Sequence, residues 1–290
     1  MFAQSSQAEW SHHCSACGKC CNSPPQLSLP ELLRHEHTFF GCLTIQRIAR
    51  PPLADAALRI EFDQLAASLW HRLPEGNTRT DDVLLATRAF DLGLSERCPA
   101  LDEQQRCSLH GRQKPSICRV VPLDALQPDR VQHLVLASRA AEAHYFGSDC
   151  LTPGQSPGFD VVTRHLRVVN DDARVALAQR RADLEAERSA WGDRVFQQLR
   201  ANLFATPSAL ERLPPAGFMT LSLAPVLIAL LESGTLSRAR CWAYLDAQAR
   251  VAERLLSDAH AAGHAERATV RQLIAFAGTN ARLRAQLKDA

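Results

Sequence analysis

Four cysteines within eight positions, Cys14, Cys17, Cys20 and Cys21, spell C-x2-C-x2-C-C inside HCSACGKCC. Cys98, Cys107 and Cys118 follow in CPALDEQQRCSLHGRQKPSIC, and Cys150 stands in DCLTPG. Thiolate sulfur is a soft ligand that holds zinc or iron strongly, and two residues between cysteines let a tight turn aim both sulfurs at one ion. These eight cysteines form the candidate metal-ligand set. Eight thiolates fill two four-coordinate sites, or hold one larger cluster with sulfurs to spare. The later cysteines must fold back on the first group, so a metal would clasp both ends of the intervening chain and its removal would cost stability.

Spacing leaves the metal open between an iron–sulfur cluster and zinc. The opening C-x2-C-x2-C with a remote Cys98-Pro99 has the form found in bacterial ferredoxins, where the last cysteine precedes proline, and it leans towards iron–sulfur. Paired C-x2-C units are also the form of zinc sites. His12, His13 and His110 stand beside cysteines and offer imidazole in place of sulfur, His110 being the best placed, although a solvated role is the simpler reading of each. Arg106, Arg112, Lys114 and Arg119 surround the second group, with no acid between the first and last. They read as charge compensation for thiolates ahead of a dock for an anionic substrate. Cys42 and Cys241 lie outside both groups and read as small buried apolar residues.

The elements that must position these thiols are less sharply marked. Ser28 can cap a helix from Leu29, with Glu31 completing a capping box and Pro30 tolerated in the first turn. Apolar stretches at 43–48, 60–69 and 83–90 read as short helices, the third capped by Asp81 or Thr80, and 73–80 reads as an exposed loop. The runs 117–121 and 131–137 suggest two strands of a small hairpin. Breakers at 148–160 mark a domain boundary. Beyond it, breaks at Thr206-Pro207, Leu213-Pro214-Pro215, Ser233-Gly234 and Gly263 divide the chain into four or five helices. The expected fold is mainly α: an irregular cysteine-rich metal-binding domain over 1–155 with short helices, then an all-α region over 156–290.

Composition narrows the function classes. The 290 residues allow one large or two small domains, and 46% hydrophobic content is enough for a packed core. A net charge of +2 argues against a nucleic-acid binder. MFAQSSQAEWSHHCSACG has neither a basic start nor an apolar stretch after it, so no signal peptide is expected. In a reducing cytoplasm, clustered thiols favour metal or redox chemistry over disulfides. The longest apolar run, 218–231, holds Pro225 and falls short of the ~20 residues a membrane span needs, so it reads as a buried helix. No dinucleotide, P-loop, metalloprotease or hydrolase motif occurs.

In order, HCSACGKCC, QLSLPELLRH and CPALDEQQRCSLHGRQKPSICRVVPL resemble the YkgJ-type, or CxxCxxCC, zinc- or iron-chelating family. The matching positions are Cys14, Cys17, Gly18, Cys20, Cys21, Cys98, Pro99, Leu101, Cys107, His110, Pro115, Cys118, Arg119 and Pro122. Lys114 stands where the family usually has Arg, Val121 replaces an aromatic, and Cys150 resembles a late CPG cysteine with Leu151-Thr152 inserted. The resemblance covers about residues 12–155 and implies metal or iron–sulfur binding. A more distant resemblance is to flagellin lysine methylases, which are longer, and it implies methyl transfer from S-adenosylmethionine. Two functions follow as expectations: a redox-active or protein-modifying metalloenzyme acting on a protein partner, or a non-catalytic metal-stapled scaffold whose helical half binds a partner.

Overall fold

The computed structural model describes residues 9–16, 18–48, 55–73, 82–93, 97–111, 113–141, 150–203 and 217–289. These residues divide into two compact units, each assembled from three stretches of chain. The first comprises Met1–Asn22, Leu53–Leu65 and Ala100–Asp183, and the second Ser23–Pro52, Ala66–Pro99 and Leu184–Ala290.

The first unit is built on a four-stranded antiparallel sheet in the order β5-β1-β6-β7. Its strands are β1 (Trp10–His12), β5 (Leu151–Pro153), β6 (Asp160–Arg164) and β7 (Arg167–Val168). His165 and Leu166 both take positive φ, the backbone a two-residue hairpin needs between β6 and β7. Helices α3 (Ser116–Val120) and α4 (Gln132–Ala141) and the start of α5 (Asp171–Glu187) supply the rest of the core. Trp10, Val120, Leu123, Leu136, Leu151, Val162 and Leu177 meet there. The turn joining α3 to α4 is held by the buried amide of Gln132, which donates to the Asp124 and Gln127 carbonyls at 2.7 and 2.9 Å.

The second unit holds another antiparallel sheet, ordered β3-β4-β2-β8. It comprises β2 (Gly41–Ile48), β3 (His71–Arg72), β4 (Asp82–Ala89) and β8 (Phe218–Ser222). With it go α1 (Leu29–Arg34), α6 (Asp193–Asn202), α7 (Ala224–Glu232), α8 (Arg238–Ala261) and α9 (Ala268–Asp289). Helix α2 (Ala56–Leu69) and α5 each contain a unit boundary. The core gathers Phe40, Cys42, Phe90, Val251, Leu273 and Phe276. Buried Glu187 accepts from the Leu29 N–H at 2.6 Å and from the Thr87 hydroxyl at 2.9 Å, so one carboxylate satisfies a free donor of the first turn of α1 and anchors it.

Several expectations need correction. Among the described residues 52% are helical and 16% in strands, and the two four-stranded sheets make this an α/β fold, not a mainly α one. Residues 43–48 and 83–90 are the paired strands β2 and β4, in register from Gly41↔Ala89 to Ile48↔Asp82, not short helices. Both are buried along nearly their whole length, so the alternation of apolar and polar residues that betrays a strand is confined to Leu43–Gln46 of β2. Their β-branched content, Thr44, Ile45, Ile48, Val83 and Thr87, was the available signal. Residues 117–121 and 131–137 are not a hairpin but lie largely in α3 and α4, where one short turn and a half-buried helix give little periodicity. The region after 156 is not all-α, since β6, β7 and β8 lie in it. The run 218–231 is a strand, β8, followed by α7 with Pro225 in its first turn.

Other expectations hold. Ser28 and Glu31 form the capping box, and residues 60–69 lie within α2. Gly234 and Gly263 end α7 and α8 with positive φ. The caps at 80–81, the breaks at 206–215 and most of the 73–80 loop lie outside the described residues. Among the described residues no helix is long and apolar enough to cross a membrane.

Candidate metal centre

Strand β1 runs directly into Cys14. Its antiparallel pairing with β5 aligns His12 with Leu151, and the next link, His13 N–H to the Cys150 carbonyl at 2.9 Å, sets Cys150 beside the start of the cysteine loop. Backbone pairing thus brings the segment of Cys150, the last of the eight candidate cysteines, beside that of Cys14, the first.

The loop then turns sharply. Ala16 and Gly18 have φ of 55° and 74°, and the Cys21 N–H returns to the Gly18 carbonyl at 2.9 Å. Residues 100–108 form a tight loop opposite it. Leu101 bridges Cys107 in antiparallel fashion, Ser108 N–H bonds Ala100 O at 2.9 Å, and the Asp102 carboxylate takes the Arg106 N–H at 2.8 Å. Gly18 lies directly on the tip of this loop. A Cβ at Gly18 would run into the Gln105 carbonyl oxygen and approach Leu101 Cδ2 to 3.4 Å. The loop that carries Cys107 is therefore in physical contact with the CGKCC loop.

The nine described cysteines are all free thiols. Cys14 and Cys20 are exposed, and Cys21, Cys107, Cys118 and Cys150 are half-buried. Cys118 is carried on α3, next to Ser116, whose hydroxyl lies 3.4 Å from the guanidinium of buried Arg180. Cys98, at 9% exposure, belongs to the second unit, just before its boundary at Pro99. Cys17 lies outside the described residues. Cys42 and Cys241 are wholly buried, and burial pushes their thiols up to about 12 and about 11, so they are the packing residues expected of isolated cysteines.

The electrostatics single out Cys20. A hydrogen bond from Cys21 draws its thiol down to about 6, aided by the positive charges of Lys114 and Arg139 and by its own backbone N–H, against the opposing effect of burial. Lys114 thus stands near enough to favour the Cys20 thiolate, and Arg106 is bound to Asp102 at 3.2 Å. Arg112 lies outside the described residues. Arg139 was missed in the sequence because it sits on α4, far along the chain from Cys20. His110 stands in an exposed turn, its N–H on the Cys107 carbonyl at 3.1 Å.

Beside the loop, a cleft of about 530 Å³ opens within the first unit. His12, Cys14, Lys114, Arg119, Asp160 and Asp172 are among the side chains around it. Burial first, then the neighbouring charges of Lys114 and His13, hold the His12 ring down to about 4, so it is neutral at physiological pH despite the opposing pull of Asp160.

The donor chemistry fits a soft or borderline metal: free thiols on two abutting loops, with cations nearby to balance thiolate charge. Among the described residues, however, no three His, Cys, Asp or Glu side chains converge as a ready-made ligand group. The backbone segments are assembled, while the thiols are not drawn together on one point.

A thiol-rich chelating domain is the class these features define. More particularly, residues 13–143 match the model of the CxxCxxCC family, described as a "putative zinc- or iron-chelating domain". No curated protein and no solved structure matches the chain, so the resemblance to flagellin lysine methylases finds no support.

Proposed function

We propose that the cysteine loops of the first unit hold a reactive zinc or iron–sulfur centre, open on the Cys14 side towards the adjoining cleft. The ligands would be drawn from Cys14, Cys17, Cys20, Cys21, Cys107, Cys118 and Cys150. The observation that carries this reading is the position of Cys14, at once a thiol of the family signature and part of the cleft wall. Structural zinc sites are closed by four protein ligands, whereas reactive sites keep a coordination position accessible. Bound there, the metal would supply Lewis acidity or electron transfer. The chain's own residues would balance thiolate charge through Lys114 and Arg139 and present a substrate along the cleft.

Anaerobic purification followed by metal and sulfide analysis and optical absorption tests the centre. A brown, sulfide-containing protein assigns an iron–sulfur cluster, and a colourless one with stoichiometric zinc assigns zinc. Added azide or imidazole should then perturb the spectrum of the native cluster, or of the cobalt-substituted zinc site. A metal that is indifferent to added ligand and unaffected by Cys14→Ser would make the site a closed staple. The reading of a non-catalytic scaffold would then replace this one.

A further inference from the structure

We infer that the cleft beside Cys14 binds a small zwitterion of the amino-acid class, up to a dipeptide in size and with an aliphatic body, Arg119 taking its carboxylate and Asp172 its ammonium group. This deepens the reading of an open centre and rests on it only for the fate of the bound molecule. The cleft's volume, about 530 Å³, lies within the range that encloses small ligands.

The argument is one of charge. Lys114 and Arg119 come to the cleft from the stretch leading into and through α3, and Asp160 and Asp172 from β6 and the first turn of α5. Among the described residues none of these four forms an ion pair with another, although both signs share one cleft. Lys114 is half-buried, and Asp160 stands opposite His12 in the register of β1 and β6. Arg119 and Asp172 are left, exposed and of opposite sign. A monovalent anion would satisfy the first and be repelled by the second, and a simple amine the reverse. A molecule bearing both charges satisfies both. Between the charged groups the aliphatic side chains of Val121, Ala173, Ala176 and exposed Val175 line the cleft beside the amides of Asn170 and Gln179, and they offer contact to a short hydrocarbon body.

The test uses the full-length, metal-loaded protein and calorimetric titration with L-leucyl-L-leucine, its N-acetyl derivative and its methyl ester. The free dipeptide should bind, and blocking either terminus should weaken binding roughly tenfold, the loss expected when one charged contact goes. In Arg119→Gln the methyl ester should bind as well as the free dipeptide. In Asp172→Asn the N-acetyl form should do so. Both side chains are exposed, and unchanged melting temperature and metal content would certify the variants. No heat at millimolar dipeptide, or equal affinity for all three ligands on the unaltered protein, overturns the inference whatever the variants do. Metal content measured on the same samples separates the two readings. Metal present without dipeptide binding sinks this inference alone, while dipeptide binding to a protein with a closed metal site sinks the open centre and leaves the cleft standing.

Discussion

Gly18 sits against the backbone of Gln105, with φ of 74° and no room for a side chain. This one contact joins the CGKCC loop to the loop that presents Cys107. Both the left-handed backbone and the close approach require glycine there.

Replacing Gly18 by Ala should therefore act twice. The methyl group would push the two cysteine loops apart and strain a positive φ, and the destabilisation should be at least about 2 kcal/mol. Metal content should fall with it, because the loops carry the thiols. Thermal unfolding and metal analysis of Gly18→Ala check this, and unchanged metal stoichiometry would detach the centre from the loop contact.

The burial of the thiols predicts their order of reaction. In native protein stripped of metal under anaerobic conditions, iodoacetamide should modify exposed Cys14 and Cys20 first, Cys20 fastest near neutrality because its thiol is drawn down to about 6. Cys42 and Cys241 should resist until the protein unfolds, being buried and pushed up to about 12 and about 11. Peptide mapping by mass spectrometry gives the order. Early labelling of Cys241 would contradict its placement in the core.

The cysteine order was legible in the sequence, and so was the need for its two groups to meet, because soft ligands at short spacing imply a shared ion. The means of meeting was not. Strand β1 is three residues long, and its pairing with β5 links Trp10 to Pro153 across most of the first unit's chain. A strand so short has no readable period, and its partner is fixed by tertiary packing. A different limit hid β2 and β4, each eight residues long but buried on both faces, so that GCLTIQRI and DVLLATRA look like buried helix. The Ser28 cap was readable because its chemistry is local, with the Ser28 N–H on the Glu31 carboxylate at 2.9 Å. The cleft was invisible for the opposite reason: Arg119 and Asp172 are ordinary surface charges until the fold sets them around one opening.

Gln248 offers a test of the second unit that is independent of any metal. Its wholly buried amide accepts from the Gly41 N–H at 2.7 Å and donates to the Glu36 and Phe39 carbonyls at 2.9 and 3.0 Å. It thereby fastens α8 to the start of β2. Gln248→Leu would leave the buried Gly41 N–H and Phe39 carbonyl without their partner and should cost about 2–4 kcal/mol. Urea unfolding should show a lower midpoint, while metal content stays at the level of the unaltered protein.

His71 predicts how the second unit responds to acid. Its ring is 4% exposed, stacks on Phe196 with centroids 4.6 Å apart, and places Nε2 3.0 Å from the Asp193 carboxylate. Burial first, then the charge of Arg188, lowers its pKa below the ordinary 6.5, and Asp193 only partly offsets them. The unfolded chain therefore takes up a proton more readily than the folded one once the pH falls below about 6.5. The stability that neutral His71 contributes is fully present above that pH and is lost as the pH falls towards and through the folded value. His71→Gln has no such proton to gain, so its urea midpoint should fall less between about pH 7.5 and pH 5.5 than that of the unaltered protein. Parallel pH dependence in the two proteins would mean that Asp193 fully cancels the effect of burial, and a steeper fall in His71→Gln would mean that His71 is protonated in the fold as an ion pair with Asp193.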